Sequence, residues 1–209
     1  MAGTVKEANL GFSARALRVF ARAMVAVVQR PKVYGPKPAL DEPTIFACRH
    51  VGLMDPVILM TRYYKMMIRP LAATDYFDSS RISRAFFTTA QAIPIDRSGN
   101  DKQWLADAKA ALARGESIII FPEGKRNKSG KGLLPFHVGV SVLAAESGAR
   151  IIPVYNRFWK FPHRYEMAIG EPMHIDDTPP EGIKSPWLHA QTDKVQAAVA
   201  ALETRFSEP

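Results

Sequence analysis

Apolar and polar positions fall into two periods along this chain, and the two take turns. Thr44 to Cys48 and Ser117 to Phe121 are short unbroken apolar runs, the pattern of strands buried on both faces. Asp101 to Arg114 instead repeats apolar residues at helical spacing and stops at Gly115, a residue suited to the C-terminal capping position. Read in order, the pattern predicts a strand over Thr44 to Cys48 and a helix opened by Asp55-Pro56, with Asp as cap and Pro in the first turn. A strand over Met66 to Ala73, interrupted by Arg69-Pro70, comes next. Asp75 to Ala90 follows as a helix with Phe77, Ile82, Phe86 and Phe87 turned inward. Ala92 to Ile95 is a strand, Phe136 to Ser147 a helix closed by Gly148, and Ile151 to Tyr155 a strand. Tyr165 to Ile169 adds a last strand, Asp176 to Pro186 is a polar loop, and Trp187 to Phe206 is a terminal helix. Such alternation predicts an α/β fold: a single domain with a mainly parallel or mixed sheet flanked by helices.

Ahead of this core, Leu10 to Val28 carries an apolar side with Phe12, Val19, Phe20 and Val27, and an arginine side with Arg15, Arg18 and Arg22. The division it suggests is an N-terminal amphipathic helix over residues 1–30, a proline-rich linker over 31–43 and one domain over 44–209. A basic amphipathic helix rests in an anionic headgroup layer, packs as an ordinary helix with solvated arginines, or serves as an acid-poor targeting segment; the sequence leaves all three open.

Composition narrows the partners. Lys plus Arg outnumber Asp plus Glu by 28 to 20, so the chain is attracted to polyanions. Nucleic acid fits poorly, because there is no zinc-finger spacing, aromatic RNA-binding signature or long basic run. No stretch of about 18 uncharged apolar residues is present, and the start lacks a secretory pattern, so the expectation is a protein lying on a membrane rather than crossing it. Cys48 is the single cysteine, which excludes an internal disulfide and suits a reducing compartment.

Polar chemistry gathers where strands end. His50 follows the first strand and Asp55 opens the next helix, a spacing that lets a turn bring the carboxylate to one imidazole nitrogen while the other faces a substrate. The same residues also fit a plain helix cap and a satisfied turn histidine. Arg97 and the run Glu123 to Arg126 follow two other strands, and ligands of open α/β sheets bind beyond the carboxyl ends of strands. A phosphate loop fails on spacing, since five residues separate Gly124 from Gly130 and no Ser or Thr follows Lys131. The five histidines are scattered without a zinc motif, and no nucleophile elbow is present. Cys48, two residues before His50, is a conceivable thiol nucleophile, although an unpaired cysteine is more often a small buried hydrophobe.

These stretches resemble a family. His50 and Asp55 with four residues between them, Ala92-Ile93-Pro94-Ile95-Asp96-Arg97, Phe121-Pro122-Glu123-Gly124-Lys125-Arg126 and Ile151-Ile152-Pro153-Val154 are similar, in order and spacing, to the four motifs of the glycerolipid acyltransferases, most of all the 1-acylglycerol-3-phosphate branch. The resemblance covers Thr44 to Glu171. It implies direct acyl transfer, with His50 as base and Asp55 as its orienter, from acyl-CoA or acyl-carrier protein to the hydroxyl of lysophosphatidic acid, with no metal and no further cofactor. Arg97 and Arg126 are then the groups that grip phosphate. Glu123 binds an acceptor hydroxyl or orients these arginines, and a backbone amide near Gly124 or Pro153 meets the oxyanion. The implied setting is peripheral, on the cytoplasmic face of a membrane. Another lysolipid or alcohol acceptor, a non-catalytic anionic-lipid-binding module, or a thioesterase or lipase-like hydrolase with water in place of the alcohol are the alternatives. Where the family usually has Asn, Ser and Thr-Arg-Ser, this chain has Arg49, Gly52 and Lys125-Arg126-Asn127, which the resemblance places around the acceptor pocket.

Overall fold

The computed structural model describes residues 19–20, 22–39, 41–96, 102–129, 132–159, 164–179 and 182–207. Seven strands form one sheet: β1 (Lys32–Tyr34), β2 (Thr44–Cys48), β3 (Ile68–Ala73), β4 (Ile93–Ile95), β5 (Ser117–Ile120), β6 (Arg150–Trp159) and β7 (Arg164–Ile169), in the order β1-β7-β6-β2-β5-β3-β4. All neighbours are parallel except β6 and β7, which run antiparallel. The helices are α1 (Asp55–Arg62), α2 (Thr74–Asp78), α3 (Arg81–Thr89), α4 (Gln103–Ala113), α5 (Gly139–Ser147) and α6 (Ser185–Ala201), the last running into a 3-10 turn over Leu202–Ser207.

The unbroken apolar runs are explained by a sheet covered on both sides. Ile45, Ala47, Ile118 and Ile120 face Ala108, Leu112, Val140, Leu143 and Val195 of α4, α5 and α6. The alternate residues Phe46, Cys48 and Ile119 face Ile58, Leu59 and Tyr63 at α1. Each fully buried Ile, Leu or Phe contributes about 1.5–3 kcal/mol relative to exposure, so these two layers fix the central strands and hold their carboxyl ends still. Gly148 caps α5 in the left-handed region at φ +66°, its N–H donating to the Ala144 carbonyl at 2.9 Å.

Four expectations change. The segment expected to link 31–43 contains β1, paired with β7, so it closes one sheet edge. The helix expected over Asp75 to Ala90 is two helices, because Ser80 accepts the Ser83 N–H at 3.0 Å and starts α3 as its N-cap. Phe77 and Phe87 pack together, but Ile82 and Phe86 point outward, 84% and 46% exposed. Strand β6 is twice the expected length, because its second half pairs with β7. Of the N-terminal helix, the part before residue 19 lies outside the described residues; the rest ends in a π-helical turn over Val25–Gln29 with Val25 buried. Pro70 sits inside β3 without breaking the sheet, at the point where the ladder passes from β5 to β4. Among the described residues no helix is long and apolar enough to cross a membrane.

Candidate active site

Strand β2 ends at Cys48, and the chain turns through His50 and Gly52 before α1 begins at Asp55. Asp55 does not cap α1 with its side chain. Its carboxylate points back into the turn instead: Oδ2 accepts from His50 Nδ1 at 2.8 Å, Val51 N–H at 2.7 Å and Gly52 N–H at 2.9 Å. Oδ1 accepts from the Tyr165 hydroxyl at 2.8 Å. Four donors thus satisfy a carboxylate that is 1% exposed, which is what lets the charge stay buried. A proton on His50 Nδ1 is fixed by the carboxylate, so Nε2 is the unprotonated nitrogen and the one able to take a proton.

The imidazole stacks on Phe121 at 4.1 Å between ring centres and lines an apolar cleft of about 120 Å³. Leu71 and Ala73 from β3, Ile95 from β4, Phe87 from α3 and Gly124 form other parts of its wall. The cleft therefore lies at the carboxyl ends of β2 to β5, where the sequence places its polar stretches.

The loop after β5 is clasped to the loop after β2. Glu123 is 2% exposed, its Oε1 accepting from His50 N–H and its Oε2 from Leu134 N–H, both at 3.0 Å. Both oxygens are held by backbone amides, and the residue positions the histidine's backbone. Asn127 N–H donates to the His50 carbonyl at 2.7 Å. Gly124 lines the cleft at φ +67°, where an added Cβ would lie 3.0 Å from the His137 ring. Its own N–H donates to the Phe121 carbonyl at 3.0 Å. Arg126 is exposed on this loop, outside the cleft lining, and Arg97 lies outside the described residues.

Two of the family departures meet in the interior rather than at an acceptor pocket. Arg49 is fully buried, giving Nε to the Gly132 carbonyl and Nη1 to the Asn156 carbonyl, each at 2.8 Å, with its guanidinium over the Tyr155 ring. Asn127, 3% exposed, gives Nδ2 to the same Gly132 carbonyl at 3.1 Å. The two substituted positions thus share one acceptor and fasten the returning loop. Cys48 is buried with Sγ directed at the Phe46 carbonyl, and burial, then the Asp55 charge, push its thiol well above the ordinary range. It stays protonated and is no nucleophile. Met60 and Met66 pack on the α1 side of the sheet, as core rather than cleft residues.

Tyr165 is the functional neighbour that the sequence did not single out, and Phe121 stood in its motif without a role of its own. Tyr165 reaches Asp55 only because β7 pairs with the far half of β6, a partnership 110 residues removed from the dyad. Alternation along Tyr165, Met167 and Ile169 marks the buried face of β7, and nothing local marks what that face touches.

Fold and site together define an α/β protein with a histidine–aspartate dyad at the carboxyl edge of its sheet. The chain belongs to the acyltransferase family, whose pattern its residues 30–157 match. Among its relatives is acl-2 of Caenorhabditis elegans, provisionally named a 1-acyl-sn-glycerol-3-phosphate acyltransferase, 30% identical over 72% of this chain and 56% of that protein. The 1-acyl-sn-glycerol-3-phosphate acyltransferase of Pseudomonas aeruginosa is 28% identical over 56% of this chain and 51% of its own. The chain thus spans about half the length of these relatives. The crystal structure of the 1-acyl-sn-glycerophosphate (LPA) acyltransferase PlsC from Thermotoga maritima superposes with a TM-score of 0.64 at 21% identity, covering 93% of this chain and 81% of that one, a likeness of fold.

Proposed function

We propose that this protein transfers a fatty acyl chain from an acyl thioester, acyl-CoA or acyl-carrier protein, to the hydroxyl of a lysophospholipid, with lysophosphatidic acid as acceptor and phosphatidic acid as product. The observation that carries the reading is the His50 Nδ1 to Asp55 bond of 2.8 Å at the wall of an apolar cleft. His50 Nε2 takes the proton of the acceptor hydroxyl as its oxygen attacks the thioester carbonyl carbon. The tetrahedral adduct then collapses, the C–S bond breaks, and the imidazolium returns its proton to the departing thiolate. General-base help of this kind is worth about 10²- to 10⁴-fold, and holding acceptor and thioester together supplies much of the rest. Asp55 fixes the tautomer and steadies the imidazolium, and Tyr165 holds Asp55. The reaction as written needs no metal and no cofactor beyond the thioester donor.

Arg97 and Arg126 are assigned to the acceptor phosphate, because a guanidinium bonds two phosphate oxygens at once. A cytoplasmic, membrane-peripheral setting goes with a lipid acceptor, and it is supported by outward apolar side chains near the cleft: Leu53, on the cleft wall and 58% exposed, and Ile82 and Phe86 of α3, the helix that also supplies Phe87. Incubation with labelled acyl-CoA and a panel of lysolipids tests the reading. Label entering phosphatidic acid ahead of other products supports it. Label in another lysolipid would move the acceptor, and thioester hydrolysis without lipid product would remove the transferase assignment.

A further inference from the structure

A second polar hollow lies at the end of α1 remote from the dyad. Arg62 is seven positions along the helix from Asp55, about 10 Å along the axis, and no residue is shared with the apolar cleft. The hollow is about 440 Å³ and is lined by Arg22, Lys37, Arg62 and Lys65 together with Tyr63 and Tyr64. Four cations from three separate segments face one space that no carboxylate lines among the described residues. The negative end of the α1 dipole accounts for Arg62 and Lys65 near it, whereas Arg22 and Lys37 are brought in from elsewhere in the chain.

An independent feature marks the same place. Arg62 Nε and the hydroxyl of Tyr63, whose oxygen lies beside Arg62, are both buried without a further hydrogen-bond partner among the described residues. Burial pushes the Tyr63 phenol up, and the charge of Arg62 and its hydrogen bond to the phenol offset only part of that, so the hydroxyl keeps its proton and is a donor. Buried donors left unpaired are costly and rare in folded proteins, and both belong to residues that line the hollow. Arg22 lies over the Tyr64 ring at 4.3 Å and closes one wall.

We propose that this hollow is a binding site for a phosphate group. A phosphate brings the negative charge that the four cations face and enough acceptor oxygens to meet a guanidinium and a phenol at once. Phospholipid headgroups and free phosphate compounds present this same chemistry. The site is independent of the acyl-transfer reading, and its failure leaves that reading untouched.

The test measures binding of inorganic phosphate by calorimetry and binding of four-to-one phosphatidylcholine–phosphatidylglycerol vesicles by cosedimentation, with full-length protein. The variants are Lys37→Gln/Arg62→Gln, Tyr63→Phe, and a control, Lys102→Gln/Lys184→Gln, that removes the same charge from exposed positions elsewhere. Thermal unfolding checks that each is folded. Loss of two charge-assisted contacts should weaken binding by about tenfold or more in the first double variant. Tyr63→Phe, unchanged in charge, should weaken it several-fold, and the control should weaken it far less. Such losses in the phosphate arm identify a soluble phosphate ligand, and losses confined to the vesicle arm identify a lipid headgroup. A wild type that binds neither probe, or a control that loses as much as Lys37→Gln/Arg62→Gln, overturns the site.

Discussion

Tyr165→Phe isolates one bond of the dyad without changing the shape of the core. Among the described residues the hydroxyl is the one donor to Asp55 Oδ1, at 2.8 Å, on a carboxylate that is 1% exposed. Removing it leaves a buried, charged oxygen facing a ring edge, and a hydrogen bond to a charged group is worth about 1.5–3 kcal/mol net. At about 2–4 °C per kcal/mol for a domain of this size, the melting temperature should fall by roughly 3–12 °C. Turnover should fall with it while the acceptor KM holds, because the phenol steadies Asp55 and touches no substrate. The pH dependence has a definite sign. Burial, then the Asp55 charge, hold the Tyr165 phenol well above its ordinary value of 10.0. The folded protein therefore keeps this proton at alkaline pH while the unfolded chain releases it. The stability contributed is full below the ordinary value and is lost as pH rises beyond it. Urea unfolding followed by tryptophan fluorescence, at about pH 7 and about pH 11, should show a wild type that loses more stability across the interval than Tyr165→Phe does. A variant as stable and as active as the wild type, with the same alkaline loss, would show that the phenol does not support the dyad.

Other substitutions test the surrounding contacts. Glu123→Gln turns an amide donor toward a backbone N–H and should cost about 1.5–3 kcal/mol in urea unfolding and lower kcat; unchanged stability with a raised acceptor KM would return Glu123 to the substrate. Arg49→Asn and Asn127→Ser, separately and together, should be non-additive by about 0.5–3 kcal/mol because both side chains hold the Gly132 carbonyl. Additive losses would mean that the two departures are unrelated. Arg97→Ala or Arg126→Ala should raise the KM for lysophosphatidic acid by about tenfold and leave the donor KM alone, and Lys should restore only part of the loss. Equal use of lysophosphatidic acid and an uncharged monoacylglycerol by wild type and variants would remove the phosphate assignment.

What the sequence made legible is what is local or covered on both sides. Thr44–Cys48 and Ser117–Ile120 read as strands because both sheet faces are buried and leave no charged residue in the run. His50 and Asp55 read as a pair because one turn spans them. Periodicity groups Ile82 with Phe86 on a face, but whether other elements cover that face depends on distant packing, and here none buries it. Asp55 was legible as a helix-opening residue, yet its carboxylate turns to the histidine because three donors wait there. Tyr165, Glu123 and the Arg49–Gly132–Asn127 junction depend on partners 5 to 110 residues away, which no local pattern encodes.

Transfer of labelled acyl chain to lysophosphatidic acid by purified wild type and His50→Ala is the most direct measurement of the dyad's role. The imidazole is at the cleft wall with 15% of its side chain exposed; its removal takes one of the four donors from Asp55, so it should cost about 1.5–3 kcal/mol in urea unfolding and leave the protein folded. Turnover should drop by about 10²- to 10⁴-fold, the range of general-base catalysis, with the acceptor KM little changed. A folded His50→Ala protein that still forms phosphatidic acid at near wild-type rate would contradict base catalysis by this histidine.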